Sequence, residues 1–544
     1  MLAAMPPTPQ PPVNRDETPG PEPVGDAASV SVGDAAPVSV RDAARLSVGD
    51  ASPAPVGDAA PVGDAAPVPV RDAAPGPVRE RGDACPGALR LHSADDGWLA
   101  RLRLPAGTLT YRQAEALAVA AERLGDGHLD ITSRGNVQLR GLGAACGGEL
   151  EALLDAAGLL PSPEHERVRN IVASPLCGLD ELASGDARLW ARELDALLCA
   201  SPAATALSGR FLFALDDGRG DVAALGADVT LLAQPGGGAT VHTGTNRSGD
   251  RSGDRSGVRV SASDAPRAAL LAAETFLTVA AASGTGAWRV RELPDAGREL
   301  DAAVAARLTE AGIGGRAYEP PTAPPAPASP PAPWPYAAPP APGRIHSPDG
   351  TVALSVHAPL GRLSVEQWRL MLTEDRPENG PENGPGELRV TPWRGMIIPG
   401  LAPAAADALL DRLRTAGLIT TPDSPWHGVG ACTGRPGCAK ALADVRSDAA
   451  DAAGAAGALA PLPGDALPVY WSGCARRCGH PGGAWVDVVA TEAGDYTVSV
   501  HGVPQATTVA ATATGPRLAA AVATARSQAQ TQTQTRTRST TVTK

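Results

Sequence analysis

Pro105-Ala-Gly-Thr-Leu-Thr-Tyr-Arg-Gln113 returns 254 residues later as Pro359-Leu-Gly-Arg-Leu-Ser-Val-Glu-Gln367, with Pro, Gly, Leu, the hydroxyl residue and Gln in the same places. In each copy the hydroxyl (Thr110, Ser364) stands three residues ahead of the Gln (Gln113, Gln367). That is the spacing of a capping box, in which side chain and backbone satisfy each other at a helix start. Amphipathic stretches follow: Leu117, Ala120, Ala121 and Leu124 in the first copy, Trp368, Met371 and Leu372 in the second. Strand-like alternations come next, at His128–Thr132 and Val137–Arg140, then at Leu388–Thr391 and Met396–Ile398. Gly141-Leu142 matches Gly400-Leu401, and Ala157-Gly158-Leu159 matches Ala416-Gly417-Leu418, both at an offset of 259. A doubled Pro-Glu-Asn-Gly within Arg376–Gly386 absorbs the change of five. The chain therefore carries an internally duplicated α+β unit.

Outward from the duplication, composition separates domain from tether. The 544 residues include 61 Gly and 54 Pro, and only 3% are aromatic. Val-(Gly/Arg)-Asp-Ala begins at Val24, Val32, Val40, Val48, Val56, Val62 and Val70, with mostly Ala, Pro, Ser and Val between. Such units bury too little apolar area to offset an ordering cost of about 1–2 kcal/mol per residue, so residues 1–83 are expected to be a disordered leader. Thr245–Gly257, Glu319–Pro342 and Arg376–Gly386 read as linkers or insertions, and residues 521–544 as a disordered tail. The expected domains are 84–162, 163–315, 344–422 and 423–520, with a Pro/Ala-rich linker over 316–343.

The formal charge is −12, and residues 1–83 hold twelve Asp and Glu against six Arg, so half of the excess sits in the leader. Lys440 and Lys544 are the only lysines, and an anion site must be built from arginine, whose planar fork grips carboxylates bidentately. No apolar run approaches the roughly 20 residues of a membrane span, and the N-terminus lacks a signal-peptide layout. A cytoplasmic protein is expected, with neither membrane nor nucleic acid as partner.

Eight cysteines in such a chain do not suggest a disulfide scaffold. Cys85, Cys146, Cys177 and Cys199 are scattered, whereas Cys432-Thr-Gly-Arg-Pro-Gly-Cys438 and Cys474-Ala-Arg-Arg-Cys478 stand 35 residues apart. Paired zinc ligands are commonly two to four residues apart, which the first pair exceeds. Four thiolates also suit a [4Fe–4S] cube, with Gly434, Gly437, Gly473 and Gly479 letting amides approach the sulfurs and Arg435, Lys440, Arg476 and Arg477 offsetting its charge. A structural zinc site is the alternative.

The Cys-x5-Cys and Cys-x3-Cys pair on a duplicated chain resembles the sulfite and nitrite reductase superfamily. So does Arg103-Leu-Pro-Ala-Gly-Thr-Leu-Thr followed by Asp130-Ile-Thr-Ser-Arg-Gly-Asn-Val-Gln-Leu-Arg-Gly141. The likeness runs through nearly all of residues 85–520. It implies an α+β fold of duplicated ferredoxin-like half-domains with two reductase-type α+β domains, the second carrying a [4Fe–4S] cluster on Cys432, Cys438, Cys474 and Cys478. Within the superfamily, Cys85-Pro-Gly-Ala-Leu-Arg90, Val168–Asp180, Arg389-Val-Thr-Pro-Trp-Arg-Gly395 and Gly430-Ala-Cys-Thr-Gly434 resemble the precorrin-3B synthase branch.

That resemblance implies a carboxylate-rich tetrapyrrole beside the cube, with Arg134, Arg140, Arg169 and Arg210 as candidate partners. Asn136 and Gln138 are either hydrogen-bonding partners of the macrocycle or residues of an exposed strand face. Arg210 stands at the first lysine of the reductases' Lys-x-Lys pair and Leu212 at the second. An aliphatic residue supplies neither charge nor proton for reducing a small anion. The resemblance thus implies precorrin-3A hydroxylation with O2 and NADH-derived electrons, delivered by an electron-donating reductase or ferredoxin, and closure of a ring-A lactone. It also implies a mononuclear non-haem iron; no helical histidine pair marks its ligands, and His427 and His480 are the candidates nearest the cysteine segments. Cys177 reads as a small buried hydrophobe, and Arg394, in a turn where the second copy is expected to be mainly structural, is a weaker site candidate. The alternatives are a siroheme-dependent sulfite or nitrite reductase and a non-catalytic iron–sulfur carrier or redox sensor.

Overall fold

The computed structural model of the chain describes residues 83, 85–244, 257–294, 298–314, 316–318, 339–372, 386–454, 467–482, 484–501, 511–513 and 517–526. The expected leader up to residue 82, and most of the three expected linkers, lie outside these residues.

The first copy runs β1 (His92–Ala94), β2 (Gly97–Leu102), β3 (Thr108–Thr110), α1 (Tyr111–Leu124), β4 (His128–Ile131), β5 (Val137–Leu142) and α2 (Gly147–Ala156). A second block follows with β6 (Ile171–Ala173), α3 (Ala187–Ala200), β7 (Phe213–Asp216), β8 (Val229–Ala233), β9 (Ala239–Thr243), β10 (Gly257–Val260), α4 (Ala265–Ser283), α5 (Arg298–Glu310) and β11 (Arg316–Tyr318). The second copy has β12 (Gly343–His346), β13 (Val352–His357), β14 (Arg362–Ser364), α6 (Val365–Arg369), β15 (Glu387–Val390), β16 (Gly395–Leu401) and α7 (Pro403–Thr415). The last block has β17 (Val429–Ala431), α8 (Val445–Gly454), β18 (Val469–Ser472), β19 (Trp485–Ala490), β20 (Tyr496–His501) and β21 (Ala511–Ala513). The fold is α+β.

Both capping boxes form. Gln113 N–H donates to the Thr110 hydroxyl at 3.2 Å and Thr110 N–H to Gln113 Oε1 at 2.9 Å; Ser364 and Gln367 repeat this at 3.2 and 3.0 Å. Before each box lies the same kink, with Ala106 and Leu360 both at φ 56°. The duplicated sheets are antiparallel, ordered β1-β2-β5-β4-β14 and β12-β13-β16-β15-β3. Each copy thus gives its three-residue strand to the other's sheet: Leu363 pairs with Leu129, and Leu109 with Leu388. One apolar core serves both copies, and Trp368 donates from its indole N–H to the Ala114 carbonyl across it at 2.9 Å. Neither sheet is complete without the other copy.

The other two sheets are ordered β6-β7-β8-β9-β10-β11 and β17-β18-β19-β20-β21, and in each the first three strands are parallel and the remainder antiparallel. The duplication therefore extends to these domains. Parallel neighbours need a crossover, supplied by α3 and α8. Loops at the carboxyl ends of parallel strands are where open α/β sheets place ligands. Cys432–Cys438 follows β17 and Cys474–Cys478 follows β18.

Three boundaries differ from expectation. Residues 316–318 pair with β10, and Gly343 opens β12, which trims the expected linker at both ends. A helix over residues 517–526 buries Leu518, Val522, Ala525 and Arg526, so the start of the expected tail is packed structure. Asp83 is an anchor rather than leader: its carboxylate accepts from Cys85 N–H, Gly209 N–H and the Ser208 hydroxyl at 2.9, 2.7 and 3.0 Å. Among the described residues one helix, α4, has the length and mean hydropathy, 1.2, of a membrane span, and Ala268, Ala269, Ala272, Ala273 and Phe276 seat it in a domain core.

Candidate functional site

In a strand, residues two apart share a face. On β2 and the residue beyond it, Arg101 and Arg103 share one; on β5, Asn136's neighbours in that register are Gln138 and Arg140, and on β4 it is Asp130, with Arg101 opposite Gln138 and Asp130 also opposite Gln138. The other face carries Ala100, Leu102, Leu129, Ile131, Val137 and Leu139 and packs into the core. The polar face is covered as well: Arg103, Asp130, Asn136, Gln138 and Arg140 are all buried.

Asn136 and Gln138 are therefore not on an exposed face. The Asn136 side chain accepts from Leu104 N–H at 3.0 Å and donates to Asn170 Oδ1 at 2.9 Å, and Gln138 Oε1 accepts from Arg101 at 2.9 Å. Arg140 is already engaged: Nε and Nη2 pair with Asp96 at 2.7 and 2.8 Å, and Nη2 also donates to the Gly437 carbonyl at 2.6 Å. It holds the first cysteine loop instead of facing an open cleft. Arg169 is likewise corrected. Its Nε and Nη2 meet both oxygens of Asp195 at 2.7 Å and its Nη1 donates to the Leu159 carbonyl at 3.3 Å, which ties it into the protein at 7% exposure.

Arg134 and Arg210 converge on the segment after Leu207. Arg134 Nη1 donates to the Gly209 carbonyl at 3.5 Å, and the exposed Arg210 stacks its guanidinium 5.0 Å from the Trp288 ring centre. Sequence reasoning missed their strongest companions, Arg101 and Arg103. Arg103 is held only by carbonyls, those of Arg167, Pro86 and Gly209 at 3.3–3.4 Å. Arg101 has Gln138, and buried atoms Arg101 Nε and Arg103 Nη1 have no hydrogen-bond partner. Burial pushes the Arg103 guanidinium down to about 9 and that of Arg134 to about 10, and it lowers Arg101 too. Glu166 and Asp228 offset part of this charge, and burial raises both of these carboxyls. A buried ion without full pairing costs several kcal/mol. Three such cations side by side are a site that an anion would relieve. The Cys85 thiol lies within reach of all three charges, and Cys478 within reach of Arg101. A hollow of about 160 Å³ lined by Cys85, Pro86, Arg90, Leu91, His92 and Ser93 opens beside the cluster.

The arginine cluster therefore adjoins the cysteine loops. Gly473 N–H donates to Cys432 Sγ at 3.2 Å; burial, with Cys478 and Cys474 adding their charge, raises the Cys432 thiol. The loops interlock through glycine: a Cβ on Gly473 would lie 2.7 Å from the Ala441 Cβ, and one on Gly434 2.8 Å from Val445. Arg435 and Arg477 are tied to the Ala441 carbonyl and to Asp487 at 2.9 and 2.6 Å, while Lys440 and Arg476 are exposed. Among the described residues, no three His, Cys, Asp or Glu close round a single ion. Cys432, Cys438, Cys474 and Cys478 stand on these two interlocked loops, and thiolates are the donors that a [4Fe–4S] cube takes. The mononuclear iron does not fit its candidates. His427 lies against His357, with ring centres 5.7 Å apart, and His480 stacks on Trp485 at 4.7 Å. Cys177 is buried in the core of the first reductase-type domain.

The α+β fold resembles that of the nitrite and sulfite reductases. Residues 92–157 match the family described as Nitrite/Sulfite reductase ferredoxin-like half domain. The Mycobacterium tuberculosis NirA protein shares the fold with a TM-score of 0.53, over 74% of each chain and at 18% identity. Among curated proteins the chain resembles the precorrin-3B synthase of Sinorhizobium sp, being 27% identical over 78% of this chain and 83% of that one. It also resembles the ferredoxin–nitrite reductase of Synechococcus elongatus, at 28% identity over 71% and 74%. These relatives are redox enzymes.

Proposed function

We propose that the chain is a monooxygenase of the precorrin-3B synthase type. It holds precorrin-3A by its carboxylates, hydroxylates a meso carbon and closes a ring-A lactone, in aerobic cobalamin biosynthesis. The observation that carries this reading is the under-compensated trio of buried Arg103 and half-buried Arg101 and Arg134, with Arg101 in reach of Cys478. A polycarboxylate supplies the counter-charge those guanidiniums lack, and charge-assisted, bidentate bonds fix its orientation. Arg210, exposed on Trp288, adds a cation at the rim.

Cys432, Cys438, Cys474 and Cys478 would hold a [4Fe–4S] cluster, which would supply one-electron transfer, with NADH-derived electrons coming from a reductase or ferredoxin. One atom of O2 enters the substrate, and the other leaves as water with two electrons and two protons. The choice of tetrapyrrole as substrate over small-anion reduction is supported by Leu212. It is buried among Val172, Ala214, Val222 and Ala227, with Trp393 packed against them, and that wall offers no cation or proton.

The second reading, a siroheme-dependent nitrite or sulfite reductase, is favoured by the comparable match to the cyanobacterial nitrite reductase. Anaerobic incubation of the reconstituted protein with precorrin-3A, followed by O2 and mass analysis, separates the two. The expected product carries one added oxygen atom. An unmodified substrate, together with an isobacteriochlorin Soret band and nitrite or sulfite reduction, overturns the proposal.

A further inference from the structure

The turn between β15 and β16 repeats the turn between β4 and β5. Thr132 N–H donates to the Asn136 carbonyl at 2.9 Å and Gly135 N–H to the Thr132 carbonyl at 3.2 Å. Thr391 N–H donates to the Gly395 carbonyl at 2.8 Å and Arg394 N–H to the Thr391 carbonyl at 3.2 Å. The offset is 259 throughout, so Gly135 corresponds to Arg394. Both sit in the left-handed region, at φ 65° and 61°. Glycine takes that conformation freely, whereas a residue with a Cβ takes it under strain. Backbone strain that persists is a reason to look for a function of the side chain.

The Arg394 side chain runs to the second cysteine loop. Nη2 donates to the Gly479 carbonyl at 2.7 Å and to the Tyr470 hydroxyl at 3.3 Å, and the guanidinium lies 5.2 Å from the centre of the Tyr470 ring. The Tyr470 hydroxyl in turn donates to the Cys478 carbonyl at 2.6 Å. Consecutive carbonyls, of Cys478 and Gly479, are thus held by one stacked pair. The route exists because three glycines clear it. A Cβ on Gly361 would lie 2.4 Å from Arg394 Cδ, and Cβ atoms on Gly430 and Gly479 would each come within 3.3 Å of a guanidinium nitrogen.

We propose that Arg394, with Tyr470, is the positioning residue of Cys478: it fixes the backbone that presents this thiol to the cluster. The proposal rests on the cluster reading above. Arg394 supplies no ligand; it limits how far the exposed Cys478 segment swings open, and so how readily iron is lost from that corner.

The test compares wild type, Arg394→Gly and Arg394→Lys as full-length protein reconstituted with iron and sulfide. Iron release to an excess of chelator, low-temperature EPR of the reduced cluster and the urea midpoint of the cluster-free chain are measured. Arg394→Gly is expected to release iron at least tenfold faster with a changed EPR signal. Its cluster-free midpoint should be no lower than wild type, because glycine suits φ 61°. Arg394→Lys, which keeps charge and a donor, should stay within about threefold of wild type; release as fast as in Arg394→Gly overturns the role of the donor to Gly479. Iron release and EPR unchanged in Arg394→Gly overturn the proposal, as does a lowered midpoint with unchanged release, which makes Arg394 a residue of the fold alone. A wild-type protein that takes up fewer than four irons overturns the cluster reading itself, and is recognised before any variant is compared.

Discussion

Arg101→Met separates a ligand site from a structural cation by the sign of its two effects. In the ligand-free chain the substitution removes one charge-assisted hydrogen bond, from Arg101 to Gln138 at 2.9 Å, worth about 1.5–3 kcal/mol. It also removes a half-buried guanidinium whose buried Nε has no partner and whose charged form desolvation disfavours. An incompletely paired buried ion costs several kcal/mol, and methionine fills a similar stem volume. The second effect is the larger, so the cluster-free chain is expected to gain on the order of 1–3 kcal/mol. The same change removes a cation from the carboxylate site, which should weaken a polycarboxylate ten- to a hundred-fold, about 1.4–3 kcal/mol.

Urea denaturation of the cluster-free protein reads the first quantity. Equilibrium binding of uroporphyrin, followed by quenching of its fluorescence, reads the second. Binding to wild type should also weaken more steeply with added salt than binding to the variant, as one screened charge is gone. A variant that is destabilised and binds uroporphyrin as wild type does refutes the reasoning, for Arg101 would then be a residue the fold needs and the ligand ignores.

Arg169→Ala is expected to destabilise by about 3–5 kcal/mol because it strands Asp195, and to leave uroporphyrin affinity unchanged; a weakened affinity at unchanged stability would return Arg169 to the site. Cys438→Ser should lower the iron bound after reconstitution below four per chain and remove most of the sulfur-to-iron absorbance, and a full cluster in this variant refutes Cys438 as a ligand. Burial, with the His427 charge beside it, lowers His357 to about 4. Above pH 6.5 the histidine is neutral whether the chain is folded or not; as pH falls from 6.5 towards 4 only the unfolded chain takes the proton, so stability is lost. Relative to His357→Gln, the wild type should lose about 3 kcal/mol across that window, and a gap in urea stability that does not change between pH 7 and pH 4 contradicts this.

The duplication was legible because its signals are local. A capping box needs four residues, and Thr110 to Gln113 and Ser364 to Gln367 form theirs as spaced. The exchange of β3 and β14 between the sheets was not legible, since three-residue strands carry too little pattern to say which distant edge they join. The polar face of the first sheet was half legible. Arg101 and Arg103 alternate with Leu102 and Leu104, and Asn136, Gln138 and Arg140 alternate with Val137 and Leu139. Alternation tells which side chains share a face; it does not tell whether that face meets water or another domain. Arg169 and Arg140 were misjudged for the same reason, as Asp195 and Asp96 reach them from elsewhere in the fold.

The offset of 259 shows how one site comes out of a symmetrical frame. Arg134 points into the arginine cluster, and its counterpart Trp393 packs beside Leu212 in an apolar wall. Arg140, which grips the first cysteine loop from β5, has Pro399 as its counterpart, a residue with no side-chain donor. Gly135, a bare turn, has Arg394, which grips the second loop. In each pair one copy carries the cation and the other does not: Arg140 and Arg394 reach the last domain, and Arg134 reaches the Gly209 segment. The loops after β6 and β7, which occupy the place of the cysteine loops in the other half, are instead fastened by structural contacts: Arg389 donates to the Pro175 and Cys177 carbonyls at 2.7 and 2.9 Å, and Arg219 pairs with Asp217 and Asp180. Four thiols stand in one half of the frame and arginine-paired carboxylates in the other, and the proposed cluster and carboxylate sites meet where Arg101 and Cys478 lie within reach of each other's charge.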